Sequence, residues 1–288
     1  MSRTAVVRLS ARSVPVRTRN LDSTVMIIEL FGPPGSGKTT FARELARHLC
    51  ERGYQANVVL SYQPRVIEDT SNNLGAFQFL FRVIVTASNT LYTIINSPFR
   101  RDELKTSMDL VKCMRPTDIF WRIRIWQYIL NLSRRWREAR KSDDIIIFDQ
   151  GFVQAVGSLA LFNGTPNDAS LTQALELAPS ADVSIRLLAP REVVETRLRE
   201  RMGHIPKAQR LLEAGISINL SSFDIFNDIQ RILSFLGKNV VSVQPVDQES
   251  TAHSIHSIES IIETYLQNSN GLHPFKRMRA SRAIPADA

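Results

Sequence analysis

Residues 25–40 read VMIIELFGPPGSGKTT, and this stretch decides the fold. Val25 to Phe31 is a near-continuous apolar run, the pattern of a strand buried on both faces of a parallel sheet. It ends in Gly32-Pro33-Pro34-Gly35-Ser36-Gly37-Lys38-Thr39-Thr40, which satisfies G-x-x-x-x-G-K-[ST] at every fixed position. From Lys38 to Cys50, Phe41, Leu45 and Leu49 recur every four residues, marking a helix with one buried stripe. Strand, glycine-rich turn and helix, in that order, are the context the motif requires. The glycines let the backbone wrap with its N–H groups pointing inward, where a side chain would block phosphate. The helix that follows adds its positive end. Lys38 is placed to reach the β- and γ-phosphates, and the Thr39 hydroxyl to ligate Mg²⁺. Binding of a purine nucleoside triphosphate follows, with ATP and Mg²⁺ as the expected cofactors and residues 32–40 as their cradle.

Further along the chain, Ala56–Leu60, Ile145–Phe148, Val183–Leu188 and Val240–Val243 read as four more short strands. Pro190 opens a helix after the fourth, where proline is tolerated in the first turn. A closing helix carries Ile255, Ile258, Ile262, Tyr265 and Leu266 on one face. Strands alternating with helices, without hairpin turn pairs, predict a three-layer α/β domain around a parallel sheet.

The third strand ends in Asp149-Gln150-Gly151. An acid at the C-terminal end of a parallel strand faces the crevice where such sheets bind ligands. There it can hold Mg²⁺ or accept the proton of an attacking hydroxyl; the competing role is to cap the helix that begins near Phe152. No Asp-Glu pair follows this strand, as a motor that polarises water would use, so transfer to a bound acceptor is the better match. In the helix after Pro190, Val194 and Leu198 share the core-facing stripe, and Arg197 and Arg201, four apart, share an adjacent face. Two guanidiniums on one edge can neutralise charge on a transferring phosphoryl group. Arg199 is read as solvated, paired with Glu195.

These features resemble the nucleoside monophosphate kinase-like group of phosphate-loop kinases, thymidylate kinases in particular. The resemblance rests on GPPGSGKTT, the strand ending in Asp149-Gln150-Gly151, the strand-proline-helix with Arg197 and Arg201, and a fifth strand before an amphipathic last helix. It spans roughly residues 25–268, and only the phosphate loop is specific by itself. It implies the P-loop NTPase fold with a five-stranded parallel sheet, a helical lid carrying the arginines, and a loop at Gln244-Pro245-Val246 beside adenine. Thymidylate kinases usually follow the second strand with Arg-Glu-Pro-Gly-Gly and the third with Asp-Arg-Tyr. This chain has Tyr62-Gln63-Pro64-Arg65 and Asp149-Gln150-Gly151, so the resemblance supports a kinase more than it supports dTMP as acceptor.

Residues 68–141 form a helical insert on the acceptor side. Trp121, Trp126 and Trp136 are interleaved there with Arg122, Arg124, Arg134, Arg135, Arg137 and Arg140. Rings and guanidiniums can stack on a base and hold an anion; equally, Trp121, Ile125 and Tyr128 or Leu132 can be core with the arginines in water. Both readings stand. Arg65, after Pro64 at the mouth of the crevice, is the single acceptor-binding candidate. His48, His204, His253, His256 and His273 show no ligand-like spacing, and a structural metal is not expected.

The 288 residues are 43% hydrophobic and 22% charged, ample for a buried core without staples. Two cysteines, Cys50 and Cys113, make no disulfide framework, and a reducing, cytoplasmic compartment is the default. The net charge of +8 sits in the ends: residues 1–20 carry five arginines and no acid, residues 271–288 an excess of three, and the body is neutral. A nucleic-acid partner is therefore not expected. Residues 1–24 read as a basic, disordered leader, or an upstream extension before Met26; an organellar transit peptide is the weaker reading. Residues 269–288 read as a flexible basic tail. The apolar stretch 76–99 is interrupted by Arg82, Ser88, Asn89, Thr90 and Asn96, so a buried or groove-lining helix is preferred to a membrane span.

The sequence thus points to transfer of a phosphoryl group from Mg·ATP to a small acceptor (a nucleotide, nucleoside or sugar-like hydroxyl), with a homodimer left open. Lys38, Asp149, Arg197 and Arg201 are the catalytic candidates, and Thr39 and Asp149 the metal ligands. The rivals are an ATPase of the AAA or regulatory-switch kind, and a membrane-surface binding protein using 76–99 and the basic ends.

Overall fold

The computed structural model describes residues 26–61, 101–164, 166–204 and 215–271. Along the chain run β1 (Met26–Phe31), α1 (Lys38–Glu51), β2 (Ala56–Val59), α2 (Arg101–Cys113), α3 (Ile119–Ala139), β3 (Ile145–Phe148), α4 (Phe152–Asn163), α5 (Asp168–Leu177), β4 (Val183–Leu187), α6 (Arg191–His204), α7 (Ile216–Phe235), β5 (Val240–Val243) and α8 (Gln248–Gly271). The strands form one parallel sheet in the order β2-β3-β1-β4-β5. This is the three-layer α/β architecture with a five-stranded parallel sheet that the sequence predicts. Each strand falls within one residue of its predicted bounds. The stretch 76–99, Arg65 and both chain ends lie outside the described residues.

Side chains alternate across the sheet, as the two-residue period of a strand requires. Met26, Ile28 and Leu30 join Ile145, Ile147, Val183, Ile185 and Leu187 on the face covered by α1 and α8. The helical stripes meet them: Phe41, Leu45 and Leu49 from α1, and Ile255, Ile258, Ile262 and Leu266 from α8. On the other face, Ile27, Phe31, Ile146 and Phe148 pack against α3, α4 and α7. Each such aliphatic or aromatic side chain, fully buried, contributes about 1.5–3 kcal/mol.

β1 lies in the middle, with β3 on one side and β4 on the other. Its C-terminal end therefore opens at the point where successive connections leave in opposite directions, the crevice where such sheets hold ligands. α4 approaches α7 closely because position 157 is glycine: a Cβ there would lie 2.5 Å from the Phe226 ring. α3 starts at Asp118, whose carboxylate accepts the N–H groups of Phe120 (2.7 Å) and Trp121 (3.2 Å). Among the described residues, no helix is long and apolar enough to cross a membrane.

Candidate active site

The loop between β1 and α1 has the backbone its glycines permit. Gly32, at φ 142°, runs so close to β4 that a Cβ would sit 2.5 Å from the Leu187 carbonyl oxygen. Gly37 adopts a left-handed conformation (φ 91°) as it hands the chain to α1. Lys38 is 6% exposed, and its Nζ donates to the carbonyl oxygens of Gly32 and Pro33, both at 2.8 Å. Burial lowers its pKa to about 7; the Asp149 carboxylate opposes that shift and the Arg201 guanidinium adds to it.

Asp149 leaves the end of β3 almost fully buried. Its Oδ2 accepts the Thr39 hydroxyl at 2.8 Å and its Oδ1 the Ser61 N–H at 2.7 Å. It does not cap α4, whose N-terminal neighbour Gly151 has no side chain to offer. The carboxylate is instead tied to the phosphate loop and to the end of β2. α3 fixes the surrounding backbone from behind: the Tyr128 hydroxyl donates to the Gln150 carbonyl at 3.2 Å, and the Arg135 guanidinium to the Leu60 carbonyl. Burial raises the Tyr128 pKa, with the charges of Asp149 and Glu29 acting in the same direction, so the hydroxyl stays a donor.

A cleft of about 880 Å³ runs along the loop. It is lined by residues 34–40, by Arg197 and Arg201 of α6, by Trp121 and Arg124 of α3, by Gln154, Ser158 and Phe162 of α4, and by Pro245 and Thr251. Arg197 reaches across from α6 to the Gly35 carbonyl at 3.0 Å. Arg199 faces water and pairs with Glu195 at 2.6 Å, as its spacing predicts.

The two readings of the Trp/Arg-rich helix divide by residue. Trp136 is core, packed against Phe148 with centroids 4.7 Å apart. Trp126 donates to Ser107 at 3.2 Å. Trp121 alone of the three lines the cleft, stacked on Phe162 at 4.1 Å with the Arg124 guanidinium 5.1 Å from its ring centroid. Arg134 pairs with Glu138 at the surface.

The sequence reading does not single out Ser158 or Phe162 in the cleft, and it passes over two more residues that shape the site. Gln154, one turn into α4, accepts the Gly32 N–H at 3.1 Å and lines the cleft. Glu29 falls within the apolar run of β1, yet it is itself a buried acid, 1% exposed. Its carboxyl accepts the Val153 N–H (3.1 Å) and the Ser184 hydroxyl (3.0 Å), so it serves the start of α4 from across the sheet. An acid in the middle of a strand buried on both faces was the available signal.

Glu29 also explains Gly151. A Cβ at position 151 would lie 2.1 Å from Glu29 Oε2 and 2.6 Å from Glu29 Cβ, which leaves no space for the tyrosine of Asp-Arg-Tyr. Gly151→Ala is expected to lower stability by at least about 2 kcal/mol through overpacking, read from urea unfolding.

Burial pushes the Glu29 pKa up from 4.5 to about 7, against the hydrogen bonds from Val153, Ser184 and Phe152. The folded chain therefore holds this proton more tightly than the unfolded chain. The resulting stabilisation is complete below pH 4.5 and is lost as pH rises through 7, on the order of 3 kcal/mol in all. Wild type should lose stability across that window relative to Glu29→Gln; parallel unfolding curves at pH 5 and 7.5 would remove the assignment.

No family model and no curated protein matches the chain. Among solved structures, a deoxyadenosine kinase from M. mycoides with dCMP and dCDP bound is 13% identical, covering 83% of this chain and 100% of its own, with a TM-score of 0.46. The same kinase with dATP bound gives 16% identity, 83% and 99% coverage, and a TM-score of 0.44. At that distance the likeness carries nothing about chemistry, which rests on the residues above.

Proposed function

We propose that this chain transfers the terminal phosphoryl group of Mg·ATP to a hydroxyl or phosphate of a small acceptor. One observation supports it above the others. Asp149 joins the phosphate loop through Thr39, and one cleft is lined both by that loop and by Trp121, Gln154, Ser158 and Phe162 from α3 and α4. Such a cleft has room for a donor and an acceptor at once, at the upper end of small-molecule pocket sizes.

The oxygens of Thr39 and Asp149, 2.8 Å apart, are the hard donors that Mg²⁺ favours. Thr39 and Asp149 would hold the ion, and its charge would offset that of the phosphoryl oxygens. Lys38 is one exchange of partners from a phosphate: its protons leave the Gly32 and Pro33 carbonyls for an anionic oxygen. The loop N–H groups and the start of α1 hold the same charge. Arg197 leaves the Gly35 carbonyl, and Arg201 moves with it on α6 to cover the transferring group. Asp149 orients the acceptor hydroxyl and accepts its proton. The acceptor lies against Trp121 and Phe162, with Arg65 assigned to its anionic or polar end. Residues 25–268 constitute the catalytic unit, the insert 68–141 forming the acceptor side.

The test is ADP release by the purified chain with Mg·ATP, alone and with nucleosides, nucleoside monophosphates and aminosugars. The proposal expects turnover with one acceptor class and little without it. Equal turnover under every condition would favour an ATPase.

A further inference from the structure

We propose that His48, His256 and Glu259 form a binding site for one divalent transition-metal ion of the zinc type, joining the C-terminal part of α1 to α8. The sequence shows no such site, because His48 stands 211 residues from Glu259. The fold brings them together. His48 Nε2 lies 2.9 Å from Glu259 Oε2, His256 Nδ1 lies 3.3 Å from the same oxygen, and all three donor atoms fall within 4.8 Å of one another.

That spacing suits a shared ion. Four-coordinate zinc with ligands near 2.1 Å separates neighbouring donor atoms by roughly 3.4 Å. Two edges of this triangle are already close to that value, and the third needs only a small inward turn of an imidazole. His256 and Glu259, three apart on α8, share one helix face, while His48 arrives from α1.

The chemistry of the donors selects the ion. Two imidazoles and a carboxylate favour zinc and its neighbours over Mg²⁺ or Ca²⁺, which take oxygen. The carboxylate is also held from behind: Arg52 Nε sits 2.9 Å from Glu259 Oε1, and its Nη2 makes a longer contact, 3.5 Å, with the Oε2 that faces the imidazoles. Metal-ligating carboxylates are commonly oriented by such a second hydrogen bond. The Glu259 side chain is 8% exposed, His48 18% and His256 58%, so the cluster is anchored on a buried acid and opens to water on one side for a fourth ligand.

This site is separate from the phosphate site. Thr39 and His48 are nine residues apart on α1, roughly 14 Å along the helix axis. An ion here would fix the far part of the phosphate-loop helix to α8, against which it packs.

The experiment is calorimetric titration of the chelator-treated full chain with ZnCl₂, alongside thermal unfolding with and without Zn²⁺. One saturable equivalent is expected, together with a Zn²⁺-dependent rise in the unfolding midpoint. His256→Ala should weaken binding at least tenfold and remove that rise. Its exposed position makes it safe for folding, which the metal-free midpoint verifies. His253→Ala, an exposed histidine on the same helix, should bind as wild type does, and Mg²⁺ in excess should not compete. No saturable binding, or equal binding by wild type and His256→Ala, overturns the proposal and leaves a hydrogen-bonded clasp between two helices.

Discussion

Lys38→Ala is expected to lower the turnover number by at least about a thousandfold while the chain remains folded. The lysine is buried, and its partners among the described residues are the Gly32 and Pro33 carbonyls and, at 3.5 Å, the Ser36 hydroxyl, all uncharged groups that an anionic phosphate can replace. Its present partners, the Gly32 and Pro33 carbonyls, can turn to water when the side chain is shortened. The structural loss is therefore modest, about 1–2 kcal/mol. The same burial makes nucleotide binding proton-linked. With its pKa lowered to about 7, Lys38 is largely uncharged at pH 8; phosphate contact favours the charged form and draws in a proton. Binding enthalpies in buffers of different ionisation heat should report uptake approaching one proton in wild type and none in Lys38→Ala.

Asp149→Asn is expected to reduce turnover by about a thousandfold with a much smaller change in ATP affinity. The amide keeps the shape of the carboxylate, and its oxygen can still accept the Ser61 N–H. What it loses is the negative charge facing Thr39, and with it both a ligand suited to Mg²⁺ and an acceptor for a hydroxyl proton. Steady-state kinetics with a nucleotide-binding measurement on the same variant separate the two effects. Loss of affinity with turnover intact would assign Asp149 to nucleotide binding alone.

Legibility of the chain from its sequence depends on range. The phosphate loop, the five strands and the stripes of α1 and α8 are local patterns, set by two- and four-residue spacing, and they stand where those patterns place them. Contacts between distant segments left weaker traces. Glu29 looks like an interruption in β1 until α4 is seen to begin beside it, and Gly151 looks arbitrary until the Glu29 carboxyl is in place. Trp121 and Trp136 have like neighbours in sequence, yet one lines the cleft and the other fills the core, because fifteen positions along α3 turn them to different surroundings. His48 and His256 meet only because α1 and α8 cover the same face of the sheet.

Following the γ-phosphoryl group itself tests the central claim most directly. The chain is incubated with Mg²⁺, γ-³²P-labelled ATP and the acceptor that accelerates ADP release, and the label is traced to product or to inorganic phosphate. Transfer predicts label on the acceptor in step with ADP, absent in Lys38→Ala and strongly reduced in Asp149→Asn. Label found only as inorganic phosphate, at a rate indifferent to the acceptor, would contradict it and make this chain an ATPase.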